Sequence, residues 1–257
     1  MTKKKITTVK EALSAVKKNG YALQYVPEEL RTEEVCSAAM EEGRDMFWGE
    51  EDDPVPLFQY VPENLKTAEL CLQAVKNDPG ALQFVPEKFK TAEVCFAAVE
   101  EREWFEYLFM DLNFIALQYV PENLRTAALC LEAVKGDRKA LQFVPENLKT
   151  AELCLEAVMK DCRALEYVPE NFKTAELCLT AIRKNGHALQ YVPEELKTAE
   201  LCLLAVRQNG LSLEYVPEGL KTLELYLETV KQDEDAFFLV PEELQEQIEA
   251  VISADNI

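Results

Sequence analysis

The sequence has a single histidine and lacks any apolar run near the roughly 20 residues that span a bilayer. Its histidine, His187, occupies a recurring position that is filled elsewhere by Tyr21, Lys139, Arg163 and Leu211, which indicates a variable surface residue. No phosphate loop, dinucleotide fingerprint or nucleophile elbow occurs. These absences predict a protein that is not an enzyme, that uses no cofactor or metal and that does not enter a membrane.

Basic residues are also scarce, because 27 Lys and Arg face 47 Asp and Glu and leave a net charge of −20. Direct binding of nucleic acid requires clustered basic residues, so this balance argues against it. A protein partner with a basic surface is favoured, and solubility alone is the alternative explanation. No signal peptide is visible, so we expect a cytoplasmic protein, although secretion without a signal would leave no mark.

A repeat accounts for nearly the whole chain. The tripeptide Val-Pro-Glu occurs nine times, at intervals of 24 residues except for two intervals of 35. The period is therefore 24 residues, with two 11-residue insertions. We predict an all-α fold, an α-solenoid of about ten 24-residue helical repeats, as one elongated domain over residues 1–257 with repeats at about 6–254. The repeated prolines are Pro27, Pro62, Pro86, Pro121, Pro145, Pro169, Pro193, Pro217 and Pro241.

Each repeat contains start and stop signals for helices. The proline suits a helix start, and the valine before it is pushed toward extended geometry. An Asn-Gly pair, as at Asn19, Asn185 and Asn209, predicts a left-handed helix end. Ten helices of about three turns, each with a short helical return, are expected. A threonine five residues after most prolines predicts the N-cap of each long helix: Thr32, Thr67, Thr91, Thr126, Thr150, Thr174, Thr198 and Thr222.

Most cysteines share one repeat position. Neighbours in such a row are about one helix spacing apart, too far for a disulfide, and a row does not converge on one zinc ion. We therefore expect small buried apolar residues in a reducing compartment. Cys162 lies outside the row, and we expect it to be a surface thiol. The row comprises Cys36, Cys71, Cys95, Cys130, Cys154, Cys178 and Cys202.

Two further rows have structural and functional interpretations. The aromatic residue before each Val-Pro could stack on bases, but an aromatic at a fixed repeat position is more typical of a core. The glutamate after each proline complements a helix dipole, and together these glutamates could form an acidic stripe that docks a basic partner.

The two insertions are the strongest functional signal. They lie within residues 41–56 and 100–114, follow the same helix position two repeats apart, and together carry half of the net charge. Aromatic anchors rimmed by charge are typical of interface hot spots, so we predict a partner-binding site on the insertion-bearing side. The alternative is that the insertions pack internally. The predicted site residues are Phe47, Trp48, Glu50, Glu51, Asp52, Asp53, Trp104, Phe105 and Tyr107.

The repeat resembles the bacterial family known as domain of unknown function 4116. The resemblance rests on the Leu-Gln-Tyr run, as at residues 23–25, and on the Ala-Val-Lys-Lys-Asn-Gly ending at residues 15–20. It implies a helical repeat fold of the kind found in multi-repeat bacterial and effector-like proteins. It implies no reaction and no catalytic residues.

The sequence therefore predicts a non-enzymatic protein–protein interaction module or scaffold. The second hypothesis is an acidic inhibitor that mimics nucleic acid and blocks a basic nucleic-acid-binding protein. The third is a structural repeat without a dedicated partner. Neither the partner's identity nor the oligomeric state follows from these patterns.

Overall fold

The computed structural model describes residues 6–42, 56–100, 115–232 and 234–255. The chain divides into two compact units, residues 1–140 and 141–257. The expectation of one elongated domain stays a prediction. Within the described residues there are helices and turns but no strand, which confirms the all-α fold.

Ten α-helices occur in the described part of the chain, as predicted. In each unit, every α-helix packs against the next along the chain, which is the arrangement of an α-solenoid. Leu70, Cys71, Ala74 and Val75 show the packed face, because all four are buried within α3. The helices are α1 Val9–Val16, α2 Glu33–Glu42, α3 Ala68–Asn77, α4 Ala92–Val99 and α5 Ala127–Gly136 in the first unit, and α6 Ala151–Lys160, α7 Ala175–Lys184, α8 Ala199–Gln208, α9 Leu223–Gln232 and α10 Glu242–Asp255 in the second.

Eight of the nine connections between the described α-helices contain two 3₁₀ helices, where the sequence predicted one helical return, and the connection between α9 and α10 contains one. The longer one ends at the residue before Val-Pro, which is aromatic except at Leu239, because the valine is extended. The shorter one follows the proline, whose carbonyl accepts a hydrogen bond from the amide three residues later. The longer helices are Gly20–Tyr25, Leu57–Tyr60, Pro79–Phe84, Ala116–Tyr119, Arg138–Phe143, Cys162–Tyr167, Gly186–Tyr191, Gly210–Tyr215 and Glu234–Leu239.

The shorter 3₁₀ helices span three residues each. They are Glu28–Leu30, Glu63–Leu65, Glu87–Phe89, Glu122–Leu124, Glu146–Leu148, Glu170–Phe172, Glu194–Leu196 and Glu218–Leu220. Within each unit the longer 3₁₀ helices pack against one another and against the α-helices. Each unit therefore has an α layer and a 3₁₀ layer, with the core between them.

The predicted threonine caps are confirmed. In each case the hydroxyl oxygen accepts a hydrogen bond from the backbone N–H three residues later, as from Leu70 to Thr67 at 3.2 Å. Thr8 caps α1 in the same way. The cap satisfies an amide that would otherwise lack an intrahelical partner.

The predicted left-handed stop at Asn-Gly is wrong. Asn19, Asn185 and Asn209 are extended, with φ of −157°, −157° and −155°. Each side chain instead caps the next 3₁₀ helix by accepting from the amide two residues on. The glycine serves close packing, because a Cβ on Gly186 would lie 2.0 Å from the carbonyl oxygen of Ala205.

Candidate functional site: the insertion edge of the first unit

Both insertions replace the same kind of connection. The first lies between the end of α2 at Glu42 and the 3₁₀ helix that begins at Leu57, and the second between the end of α4 at Val99 and the 3₁₀ helix that begins at Ala116. The helix between them, α3, packs against both α2 and α4. The two insertions therefore leave and rejoin one edge of the first unit, here called the insertion edge.

The predicted binding residues lie outside the described residues. This holds for every one of Phe47, Trp48, Glu50, Glu51, Asp52, Asp53, Trp104, Phe105 and Tyr107. The described flanks are acidic and exposed at Glu41, Glu42 and Glu100. The binding role of the insertions stays a prediction.

The end of α3 occupies the insertion edge between the two insertions. Asn77 donates a side-chain hydrogen bond to the carbonyl of Met40 near the end of α2. Pro56, where the first insertion ends, packs so closely on Gly80 that a Cβ there would lie 2.9 Å from its Cγ. These contacts fix the position at which the first insertion rejoins the repeat.

Asp78 is the unusual charged group at this edge. Its carboxylate caps the next 3₁₀ helix and accepts a hydrogen bond of 2.7 Å from the amide of Gly80. Burial raises the pKa of Asp78 to about 6, although the bond from Gly80 opposes this shift. Burial also raises the pKa of Tyr21, and the nearby Asp78 charge adds to that rise.

The other repeats show why Asp78 is unusual. Among the caps that the structure describes, two others are aspartates, and each has a cation two residues later, Lys139 after Asp137 and Arg163 after Asp161. The Arg163 Nη2 lies 2.8 Å from the Asp161 Oδ2. Other repeats use neutral asparagine. Asp78 is followed by Gly80, so its own turn supplies no positive charge.

A bridge between repeats was not predicted from the sequence. The lysine four residues after most Val-Pro prolines is nearly buried and pairs with the glutamate that follows the proline, with Nζ–Oε1 distances of 2.6 to 2.8 Å at Lys90, Lys149 and Lys173. The Nζ of Lys66 also donates to the carbonyl of Phe84 in the next repeat, at 2.8 Å. Lys197 makes the equivalent bond to Tyr215, at 3.0 Å. We call this arrangement the inter-repeat bridge.

The inter-repeat bridge changes the interpretation of the acidic row. The glutamate side chains are exposed, for example 72% at Glu194, while that of Lys197 is only 6% exposed. Each carboxylate is therefore exposed to solvent, while the ammonium group paired with it is largely buried. The signal in the sequence was the recurring Pro-Glu-x-x-Lys pattern, in which the glutamate and the lysine are three residues apart and close enough for an ion pair.

The cysteine row is buried, as predicted, and all eight cysteines are free thiols. Burial raises the pKa of the thiols of Cys36, Cys71, Cys95, Cys154 and Cys178 to about 11. The expectation of a surface thiol at Cys162 is wrong, because this residue is only 8% exposed. It takes the place of Gly186 and Gly210, where the 3₁₀ helix approaches the α layer.

The aromatic row is half-buried and not a closed core. Tyr25 is 57% exposed, and most of the other rings are partly covered. His187 lies against Tyr215 of the next repeat, with an edge-to-face geometry and 3.3 Å between Nε2 and the phenol oxygen. The recurring position of His187 is thus a contact point between repeats at the surface of the 3₁₀ layer.

Neither metal-binding nor membrane-spanning features occur among the described residues. No cluster of three or more His, Cys, Asp or Glu could hold a metal ion in that part of the chain. None of the helices formed by the same residues is long and apolar enough to cross a bilayer.

Comparison with family models gives repeated matches to one description, Domain of unknown function (DUF4116). The matched segments are residues 12–66, 53–90, 67–125, 128–173, 150–197, 174–221 and 198–245. The last three begin one 24-residue repeat apart. No curated protein and no solved structure matches the chain. Because the segments cover most of the chain, this protein belongs to the DUF4116 family of helical repeats.

Proposed function

We propose that this chain is a non-enzymatic protein-interaction module that binds a protein with a basic surface through its insertion edge. The observation that carries the proposal is the placement of both insertions at equivalent connections on either side of α3. A repeat scaffold that carries extra residues on one edge is typical of a binding surface.

The composition of the insertions supports a protein partner. Both tryptophans of the chain are Trp48 and Trp104, one in each insertion. Aromatic residues of this kind dominate the free energy of many interfaces. The acidic flanks at Glu41, Glu42 and Glu100 extend the negative charge of the insertions onto the α layer and favour a basic partner.

The test is affinity capture from a native, nuclease-treated extract, followed by mass spectrometry. Wild type is compared with Trp48→Ala/Trp104→Ala. The matched control is Phe96→Ala/Leu155→Ala, which removes two partly exposed apolar side chains of the α layer, 38% and 43% exposed. The proposal expects a basic protein that is retained by wild type and control but lost with the tryptophan variant. Equal capture by all three proteins would refute binding through the insertions.

The second candidate is an acidic inhibitor that mimics nucleic acid. The regular row of exposed glutamates after the prolines favours it, but the buried lysine beside each glutamate reduces the field of that row. This candidate expects competition by duplex DNA or RNA for the captured protein. It also expects a steep loss of binding with salt.

A further inference from the structure

One repeat position at the surface, partly or fully exposed in each repeat, departs from its own consensus only in the second half of the chain. It is the second-last residue of each longer 3₁₀ helix. Six repeats carry glutamine there, at Gln24, Gln59, Gln83, Gln118, Gln142 and Gln190. The three departures are Glu166, Glu214 and Phe238, and all are exposed.

These departures weaken the local structure. Gln83 and Gln190 donate their side-chain amides to the carbonyls of Gly80 and His187 in the same turn, both at 3.1 Å. A carboxylate has no hydrogen to donate, so Glu166 and Glu214 lose this bond and place negative charge near a carbonyl. Phe238 is 70% exposed, so its ring contributes little to the core. The requirements of folding therefore do not explain these three residues.

The three residues lie on one face. In the second unit the 3₁₀ helix Cys162–Tyr167 packs against Gly186–Tyr191, which packs against Gly210–Tyr215, which packs against Glu234–Leu239. The same position on successive helices therefore forms a row across the 3₁₀ layer. Leu211, at 37% exposure, adds a second exposed apolar side chain beside Glu214. We call this surface the 3₁₀ face of the second unit.

The 3₁₀ face of the second unit is acidic. The glutamates after the prolines add carboxylates that are 72–85% exposed. Their place next to Glu214 follows from Lys197, which pairs with Glu194 and donates to the carbonyl of Tyr215. The lysine partners of these glutamates are only 6–17% exposed. Among the described residues of this unit, the other lysines and arginines lie on α-helices, except Arg163, which is paired with Asp161. A cationic partner is therefore favoured on this face.

From this charge and apolar pattern we infer that the 3₁₀ face of the second unit binds an extended peptide segment with a Lys or Arg at about every third residue and apolar residues between. Neighbouring helices are about 8–10 Å apart and an extended chain rises about 3.3 Å per residue, which sets the spacing. The glutamates after the prolines, which recur at every repeat, bind the cations together with Glu166 and Glu214, which are two repeats apart, while Leu211 and Phe238 contact the apolar side chains. The inference rests on the proposed function insofar as both require a basic protein partner.

The probe is a fluorescein-labelled peptide of five Arg-Leu-Ser triplets, and binding to the full chain is followed by fluorescence anisotropy. The variant Glu166→Gln/Glu214→Gln/Phe238→Gln restores the repeat's own consensus at all three positions. The matched control, Glu156→Gln/Glu200→Gln/Met159→Gln, likewise replaces two exposed glutamates and one exposed apolar residue by glutamine, but on the α layer. A second peptide of the same composition, with its arginines clustered at one end, tests the spacing.

The consensus variant is expected to bind the peptide about tenfold more weakly than wild type, and the control about as tightly. The clustered peptide is expected to bind about tenfold more weakly than the regular one. The consensus variant should melt no lower than wild type, so a loss of binding is not a loss of fold. Equal binding by all three proteins, or an equal loss in the control, would overturn the inference.

The peptide-binding test and the affinity-capture test of the proposed function can fail independently of each other. If the tryptophan variant loses its captured partner but the regular peptide does not bind, only the inference about the 3₁₀ face fails. If the peptide binds as expected while capture is independent of the insertions, the proposed binding edge fails and the 3₁₀ face stands.

Discussion

Replacing Asp78 with asparagine should stabilise the protein at neutral pH. The carboxylate caps a 3₁₀ helix in the same way as Asn19, Asn185 and Asn209, so an amide oxygen can accept the bond from Gly80. Asparagine also removes a charge that is buried without a cation in its own turn. The cap is therefore kept while the cost of desolvating the carboxylate is removed.

The size of this stabilisation and its dependence on pH follow from the pKa of Asp78, which burial raises to about 6. An unfolded aspartate has a pKa of about 3.9, so between these values the folded state binds more protons than the unfolded state. The contribution of this group to stability therefore falls as the pH rises through that window. The advantage of Asp78→Asn should be about 1.5 kcal/mol at pH 5 and about 3 kcal/mol at pH 7.5.

Urea unfolding followed by circular dichroism gives the free energies, and the difference between wild type and variant cancels the titration of the other carboxylates. The series should begin at pH 5, above the isoelectric point of about 4.5. The control is Asp161→Asn, which keeps the cap but removes the charge that is paired with Arg163, and it should give no gain, or a loss of up to about 1 kcal/mol. A gain that is absent, independent of pH, or equal for both variants would refute the role of burial.

Three further changes test other features. Ser212 is fully buried and its hydroxyl has no hydrogen-bond partner among the described residues, so Ser212→Ala should raise the unfolding free energy by about 1 kcal/mol, measured by urea titration. Gly186→Ala should lower the unfolding free energy by more than about 2 kcal/mol, because the added Cβ clashes with Ala205. Gly219→Ala is the control, since no atom lies within 4 Å of its added Cβ, and it should change the unfolding free energy by less than about 0.5 kcal/mol. The cysteines should react with a thiol reagent at pH 8 only as fast as the protein unfolds, and a rapid phase in native buffer would contradict their burial.

The repeat pattern was sufficient to predict the regular features of the fold. The 24-residue period, the ten α-helices, the threonine caps and the buried cysteine row all depend on short-range chemistry that recurs in each repeat. Eight cysteines could have indicated a disulfide framework, but seven of them share one repeat position, which argued against it. Periodicity is informative here because each residue faces the same surroundings in every repeat.

Features that depend on contacts between repeats were missed. The Lys66 bond to Phe84 joins residues 18 positions apart, and neither residue alone indicates it. Cys162 was expected at the surface because it lies outside the cysteine row. Its position is one where Gly186 and Gly210 stand in other repeats, and the next α-helix approaches closely there. The extended geometry at Asn185 follows from its side-chain cap, which competes with the left-handed turn that Asn-Gly otherwise favours.

The bridge at the first insertion shows how the chain accommodates extra length. Arg31 donates to the carbonyl of Tyr60, 29 residues later and at 2.8 Å, where the equivalent lysine bonds span 18 residues. The pairing between consecutive repeats is thus kept, although the insertion lies between the two partners. Lengthening the closed loop from 18 to 29 residues costs only about 0.4 kcal/mol in chain entropy. Segments of different length and composition can therefore be exchanged at this connection while the rest of the scaffold stays unchanged.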